Sequence, residues 1–582
     1  MRRSACLTRL VRGPSHGPIS AAFHTHPSSC ALEACADARD LRGGAAAHAQ
    51  VLKLQHSFGH SFSLWNKILK LYTICGRFHL ADKVFDSMPQ RDIVSFNTMI
   101  TASVRAHRDA FIAVDLYSRM RFENMDPNNI TISALLAVSS HCKCPHFVEQ
   151  VHAHAVRFGL SSNAFVGSSL VNGYERCRGL DEAIRAFEDI DELDLVSWNT
   201  MIDVCARSNS KWLAVEVFSQ ARRWGCESFD CFSLTSVLKT CSEGHDFSLG
   251  IQLHCCALKA GLESETASGN ALVTMYSRCE DKMDSALQVF RGIPSPNIIS
   301  WTAVISGLVR HALADEAIRF YKQMLRVGAS ENEFCFACVL PAYSILARLE
   351  QGRQFHSRII KSVFQSDIGV GNALIDMYFK CGGLEDARLA FERMKNRDTV
   401  SWTVMILGFG QHGKGHEAIE IFRTMESEGF KPDDVTFLAV LSACSHGGLV
   451  DEGLHIFRSM TDKYSYKPRR EHYACIIDMF GRAGKFKYAE RFIEENEIES
   501  ESLAWEALLG ACGMHGEKEL GEKSAMKVME LEPQKDGPYV LLSNLYAEQR
   551  MFEEKEKLRQ RLDVTGLKKE AGSSWFSCMK SS

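Results

Sequence analysis

A largely apolar octapeptide returns four times along the chain: IVSFNTMI at 93–100, LVSWNTMI at 195–202, IISWTAVI at 298–305 and TVSWTVMI at 399–406. Successive starts lie 102, 103 and 101 residues apart. Self-similarity at a near-fixed period marks a repeat architecture, in which each unit buries its apolar face only against its neighbours. The length agrees, because 582 residues exceed what one ordinary hydrophobic core supports.

Two other patterns rotate between these starts. One runs TISALLAVSS (131–140), FSLTSVLKTCS (232–242), FCFACVLPAYS (334–344) and VTFLAVLSACS (435–445). The other runs WNKILKLY (65–72), GSSLVNGY (167–174), GNALVTMY (269–276) and GNALIDMY (371–378). Its closing tyrosines Tyr72, Tyr174, Tyr276 and Tyr378 are each 102 apart. One period therefore holds three units, of about 35, 35 and 31 residues.

Each unit reads as two helices. The segment NALIDMYFKCGG ends on Gly382–Gly383, a helix C-terminal signal. LEDARLAFERM then places Leu384, Ala387, Phe391 and Met394 on one helical stripe. Phe85, Phe187, Phe290, Phe391 and Phe492 hold equivalent places. The connections PQRD, NRD and KPD are polar turns without room for a strand. Thirteen prolines are few for this length and suit long helical stretches. One helix hairpin cannot bury its apolar face alone, so the expected fold is all-α. It is a right-handed superhelical solenoid of antiparallel helix pairs, running from about 62 to 560.

Composition narrows the function. Net charge is −4, from 67 basic and 71 acidic residues, which argues against a broad polyanion-binding surface. No run approaches the roughly 20 apolar residues of a membrane span. The 21 cysteines form no secreted framework; Cys35, Cys241 and Cys444 fall at helical apolar positions, as small buried hydrophobes would. The first 32 residues contain Arg2, Arg3, Arg9 and Arg12 and no acid before Glu33. That is the pattern of an organelle transit peptide, with a disordered basic tail as the alternative.

The chain resembles a plant pentatricopeptide-repeat protein of the PLS type, E subclass. The resemblance rests on the four SWNTMI-like starts, the GNALIDMY runs, the QLHCCALKAG and VHAHAVRFG strings and the DEAIRAF second helices. It covers about 27–577 and implies fourteen repeats, starting at about 27 and 62 and then in triplets from 93, 195, 298 and 399. HYACIIDMFGRAGKFKYAERFIEE (472–495) is similar to the family's last short repeat. The segments 503–533 and 539–562 are similar to its two tetratricopeptide-like E motifs, and LKKEAGSSWFSC (567–578) to its KKEPGCSWIE ending. The implied domains are 1–26 as transit peptide or disordered segment, 27–501 as tandem repeats and 502–582 as the E-type extension.

Many relatives continue into a zinc deaminase domain ending in Asp-Tyr-Trp, whose chemistry needs H-x-E followed by P-C-x-x-C. Here His515-Gly-Glu517 is followed by one cysteine, Cys578, and the CFAC at 335–338 precedes it on a repeat helix. No catalytic centre, metal or cofactor is expected, and the chain reads as an adaptor without its own catalyst. His152, His254 and His356 recur 102 apart, too far for shared ligation, and read as hydrogen-bonded core histidines. Phe96, Trp198, Trp301 and Trp402 read as core rather than as base-stacking platforms. GMHGEKELGEK has neither a preceding strand nor Walker spacing, so no phosphate loop is expected there.

Repeats of this kind read one base per unit with two or three side chains. The chemistry needs a short amide or hydroxyl on the first turn of the first helix and a polar residue closing the repeat. Taken singly, Asn and Asp at helix starts are caps; in phase, recognition is the better reading. By the resemblance, Asn66 with Asp92 implies U and Asn97 with Asn128 a pyrimidine. Ser168 with Asp194 implies G, Asn199 with Asp230 U, and Asn270 with Asn297 a pyrimidine. Thr302 with Asn332 implies A, Asn372 with Asp398 U, and Thr403 with Asp433 G. The long repeats carry Ser133, Thr235, Ala337 and Leu438 at the reading position; Ala337 and Leu438 cannot make the bond and act as spacers. Val94, Val196, Ile299 and Val400 would wedge between bases.

The expected function is single-stranded RNA recognition in an organelle, mitochondrion before chloroplast, for C-to-U editing. A deaminase would come in trans, recruited by residues of about 499–582, with no membrane and no small-molecule substrate. The alternatives are a splicing, stability or translation factor, and a peptide-binding scaffold.

Overall fold

The computed structural model describes residues 27–53, 62–105, 110–208, 210–223, 229–243, 247–279 and 281–565. The proposed transit segment therefore lies outside the described residues, as does LKKEAGSSWFSC. Among the described residues there are thirty-two α-helices and no strand. They follow one another as sixteen short helix pairs, from Pro27–Asp37 with Leu41–Lys53 to Gly537–Glu548 with Phe552–Thr565. Among the described residues no helix is long and apolar enough to cross a membrane.

The helix starts follow from side-chain caps. Asp194 accepts from the Ser197 amide at 2.8 Å and opens Leu195–Arg207. Asn128, Asn297, Asp398 and Asp433 make reciprocal capping boxes with Thr131, Ser300, Ser401 and Thr436. The ends are equally local. Ile368–Lys380 closes with Gly382 at φ +79° and a bond from the Gly383 amide to the Tyr378 carbonyl, 2.8 Å. The left-handed turn at Gly382 is one that a side chain would strain.

The described residues fall into two compact units that divide between Met275 and Tyr276. Within the first, Asn129–Cys142, Ala164–Cys177, Leu195–Arg207 and Cys231–Glu243 pack in succession, each also against its own second helix. Within the second, Ile298–Arg310 through Gly537–Glu548 repeat that arrangement. Within each unit the core is therefore an apolar layer between first and second helices. Its unit is an aromatic pair: Phe187 meets Trp198 edge-on at 5.2 Å, Phe290 meets Trp301 at 4.8 Å, and Phe391 meets Trp402 at 4.8 Å. Phe96, Trp198, Trp301 and Trp402 are buried and unavailable for base stacking. The C-terminal pairs share a smaller core of Leu509, Ala525, Leu542, Leu545 and Leu558.

The histidines serve the same layer. His152 Nδ1 lies 2.8 Å from Tyr174 Oη, and His356 Nδ1 lies 2.8 Å from Tyr378 Oη. Burial holds both imidazoles below their ordinary pKa. His515 Nε2 lies 3.1 Å from the Arg482 carbonyl and its ring packs on Phe486, so H-x-E serves helix packing here. Cys241 and Cys444 are buried, and burial pushes the Cys444 thiol up to about 12. Among the described residues no three His, Cys, Asp or Glu side chains gather as a metal site would require.

Candidate nucleic-acid interface

Every residue expected to read a base is the fifth of its helix, and every closing residue stands immediately before the next first helix. Asn199 is fifth in Leu195–Arg207, and Asp230 precedes Cys231–Glu243. Packing of successive first helices brings the two together. Asn199 Nδ2 donates to both carboxylate oxygens of Asp230, 3.0 Å each. Asn66 Nδ2 does the same to Asp92, at 3.1 and 3.0 Å. Asn97 Nδ2 donates to Asn128 Oδ1 at 3.0 Å, and Asn372 Nδ2 to Asp398 Oδ1 at 3.3 Å.

Two pairs meet through an intermediary. Ser168 Oγ lies 3.3 Å from Ser197 Oγ, whose hydroxyl is 2.7 Å from Asp194 Oδ1. Thr403 Oγ1 lies 2.8 Å from Thr436 Oγ1, which donates to Asp433 at 2.7 Å. A third pair is joined by no side-chain hydrogen bond. Thr302 donates back to the carbonyls of Ile298 and Ile299, 3.0 and 3.1 Å, while Asn332 caps its own helix through the Cys335 amide, 2.9 Å. The third residue of the helix that follows is Cys335, where Ser197 and Thr436 supply a relaying hydroxyl in the two pairs above. Asn270 and Asn297 belong to different compact units, and Asn297 caps Ile298–Arg310.

The closing residues thus hold two jobs. Asp398 Oδ1 accepts from the Ser401 amide and hydroxyl, both 2.8 Å, as well as from Asn372. Burial alone would raise the Asp398 pKa, but these bonds outweigh it and hold the carboxyl below its usual value. Asp398 is thus a helix cap and the partner of Asn372 at once.

Two layers line the first-helix face. Asn97 and Thr403 are sunk between helices, 6% and 8% exposed. Three residues earlier, on the same helix face, Val94, Val196, Ile299 and Val400 are 51–60% exposed. Sequence reasoning named these four but passed over their counterparts in the long repeats: Ile130, Phe232, Phe334 and Val435 are exposed at the same position. It also missed the third residue of each helix. Thr131 and Ser233 each stand three residues after their cap, and that Asx-x-x-Ser/Thr spacing was the available signal. In the fold they bond to the preceding repeat's reading residue as well.

Comparison with known proteins follows the same repeat rhythm. The PPR repeat pattern matches residues 63–93, 196–226, 299–328, 372–399 and 435–464. The PPR repeat family matches 397–446, and the E motif matches 515–577. Pentatricopeptide repeat-containing protein At4g33170 of Arabidopsis thaliana is 36% identical over 92% of this chain and 53% of its own length. Pentatricopeptide repeat-containing protein At5g39350 of the same plant is 33% identical over 93% of this chain and 80% of its own length. The chain spans about half the length of several curated relatives it matches, 53%, 52% and 56% in three cases. The crystal structure of the pentatricopeptide repeat protein PPR10 from maize is 17% identical, covers 92% of this chain and 78% of that one, and superposes with a TM-score of 0.55. That likeness is one of fold.

Proposed function

Since this chain belongs to the pentatricopeptide-repeat family and carries its E motif, we propose that it is a sequence-specific single-stranded RNA-binding adaptor of organelles. It selects sites for C-to-U editing, and the deaminase acts in trans through the E-type extension. The observation that carries this reading is the amide contact repeated in register at Asn66–Asp92, Asn97–Asn128, Asn199–Asp230 and Asn372–Asp398. A peptide-binding groove has no reason to keep that pairing in phase, whereas one-base-per-repeat reading requires it. At Asn97 and Asn199 the exposed apolar residue three positions earlier, Val94 or Val196, supplies a surface against which an unstacked base can lie.

The organelle assignment draws on the Arg-bearing, acid-free N-terminal stretch and on relatives whose names carry "mitochondrial" or "chloroplastic". The mitochondrion is the destination proposed here. Editing is favoured over splicing or transcript stabilisation by the E motif at 515–577.

The test has two parts. Purified full-length protein is titrated with a single-stranded RNA carrying the implied base at each paired position, and with a permuted RNA of equal composition, at one fixed salt concentration. Tighter binding to the matched RNA is expected; equal binding removes the recognition reading and leaves the scaffold. Sequencing organelle transcripts from a knockout then separates outcomes. A lost C-to-U change supports editing, and altered splicing or abundance with intact editing overturns it.

A further inference from the structure

We infer that Thr131 and Ser233, in long repeats to which no reading pair is assigned, are positioning residues. They fix the side-chain amides of Asn97 and Asn199 for base reading in the repeats before them. The inference rests on the RNA-reading function proposed above and extends it to residues outside the reading pairs.

The geometry at Asn199 is a two-point clamp. Its Nδ2 lies 3.0 Å from each Asp230 oxygen, and its Oδ1 accepts from Ser233 Oγ at 2.6 Å. Asn97 repeats this, with Nδ2 donating to Asn128 at 3.0 Å and Oδ1 accepting from Thr131 Oγ1 at 2.7 Å. A carboxylate can only accept, so it faces the NH₂ end of the Asn199 amide; the hydroxyl donates and faces the oxygen. Each hydroxyl also reaches its own cap oxygen, Asp230 Oδ1 at 2.9 Å or Asn128 Oδ1 at 3.0 Å. The contact to the reading amide is the shorter one in both cases.

The short repeats provide the internal contrast. Asn66 and Asn372 stand at the same register and donate to Asp92 and Asp398. The following third residues, Ser95 and Ser401, turn their hydroxyls elsewhere. Ser95 Oγ donates to the Asp92 carbonyl at 2.7 Å, and Ser401 Oγ to Asp398 Oδ1 at 2.8 Å. The Oδ1 atoms of Asn66 and Asn372 are buried with no hydrogen-bond partner among the described residues. Rotation about the last torsion of an asparagine is soft. One anchor leaves the amide plane free to swing about its Nδ2 contact; two anchors fix it. The donor and acceptor that a base edge meets are therefore held in one direction at Asn97 and Asn199, and less firmly at Asn66 and Asn372.

The experiment uses the full chain and two sets of single-stranded RNA. One set differs only at the base opposite Asn199, the other only at the base opposite Asn372. Ser233→Ala removes the hydroxyl and keeps the backbone amide that Asp230 caps, 3.0 Å away. The expected result is an about three- to tenfold fall in U-over-C preference opposite Asn199, the worth of one hydrogen bond. Preference opposite Asn372 and the melting temperature stay unchanged, and Ser233→Thr restores the parent ratio. Asn199→Ala is the reference. If it abolishes the preference while Ser233→Ala leaves the ratio intact, the positioning role is wrong and the reading function stands. If Ser233→Ala weakens both sites equally and lowers the melting temperature, its role is structural and the inference falls. If Asn199→Ala is itself silent, the reading function falls and takes the inference with it.

Discussion

The side-chain amide of Asn199 donates to both carboxylate oxygens of Asp230, 3.0 Å each, across 31 residues of chain. The same carboxylate accepts from the amides of Phe232 and Ser233 at 3.0 Å. One aspartate therefore starts a helix and ties it to the repeat before. Asp230→Ala should cost about 1–2 kcal/mol locally through the lost cap, and Asn199→Ala about 1 kcal/mol or less. Hydrogen exchange is the suitable readout, because a repeat array opens in parts. Exchange at Phe232 and Ser233 should accelerate in Asp230→Ala and stay near parent in Asn199→Ala. Equal acceleration in both would mean that the inter-repeat tie, rather than the cap, holds this helix start.

The histidines predict how stability depends on pH. Burial lowers the folded pKa of His152 and His356, so the folded chain resists protonation. The unfolded chain takes up protons at the ordinary value, about 6.5. Below that value the unfolded state binds more protons, so stability is fully present above it and falls as pH drops. The melting temperature should decline between about pH 7.5 and about pH 5.5. The double substitution His152→Gln and His356→Gln should flatten that decline while costing some stability at the upper end. A pH profile unchanged by the double substitution would show that other groups control it.

Packing gives a paired prediction at two helical glycines. A Cβ on Gly408 would stand 2.2–2.4 Å from the Phe379 ring, itself buried edge-on against Phe409. Gly408→Ala should therefore destabilise by about 1–3 kcal/mol. Gly510, inside Ser502–His515, has open space around its Cβ direction. Gly510→Ala should stabilise by about 0.5–1 kcal/mol through lower unfolded-chain entropy. Thermal melts of the two variants should move in opposite directions, and a shared direction would contradict the packing described.

The helix pairs and the aromatic layer were legible in the sequence because both depend on spacing alone. Phe391 and Trp402 recur at a fixed interval, and any stacked helix pair with that interval brings them together. The reading pairs were legible as a register and only partly as contacts. Asn372 reaches Asp398, but Thr302 bonds to its own helix, and the next one offers Cys335 in place of the hydroxyl that Thr403 meets in Thr436. The second bond made by Ser233 was not legible. An Asx-x-x-Ser spacing announces a cap three residues away, and nothing local announces a partner 34 residues away. Such contacts depend on how far one helix slides along the next, which a repeat period does not specify.

Thr403 puts the code and the geometry under one test. Its hydroxyl lies 2.8 Å from the Thr399 carbonyl and 2.8 Å from Thr436 Oγ1, so it meets Asp433 only through Thr436. By family resemblance Thr403 with Asp433 implies G, and Asn with Asp implies U. An asparagine carries its amide one bond farther and would reach Asp433 directly. Thr436 would then stand where Ser233 stands for Asn199, so the full clamp would be rebuilt in a new repeat. Thr403→Asn should shift preference from G towards U by about 1–3 kcal/mol, the scale of one good side-chain–base pairing in DNA readout. Binding to two single-stranded RNAs differing only at that base, at one salt concentration, measures it. An unchanged G-over-U ratio in Thr403→Asn, together with silent Asn372→Ala and Asp398→Ala, would reduce these residues to helix caps. The scaffold reading would then account better for the solenoid.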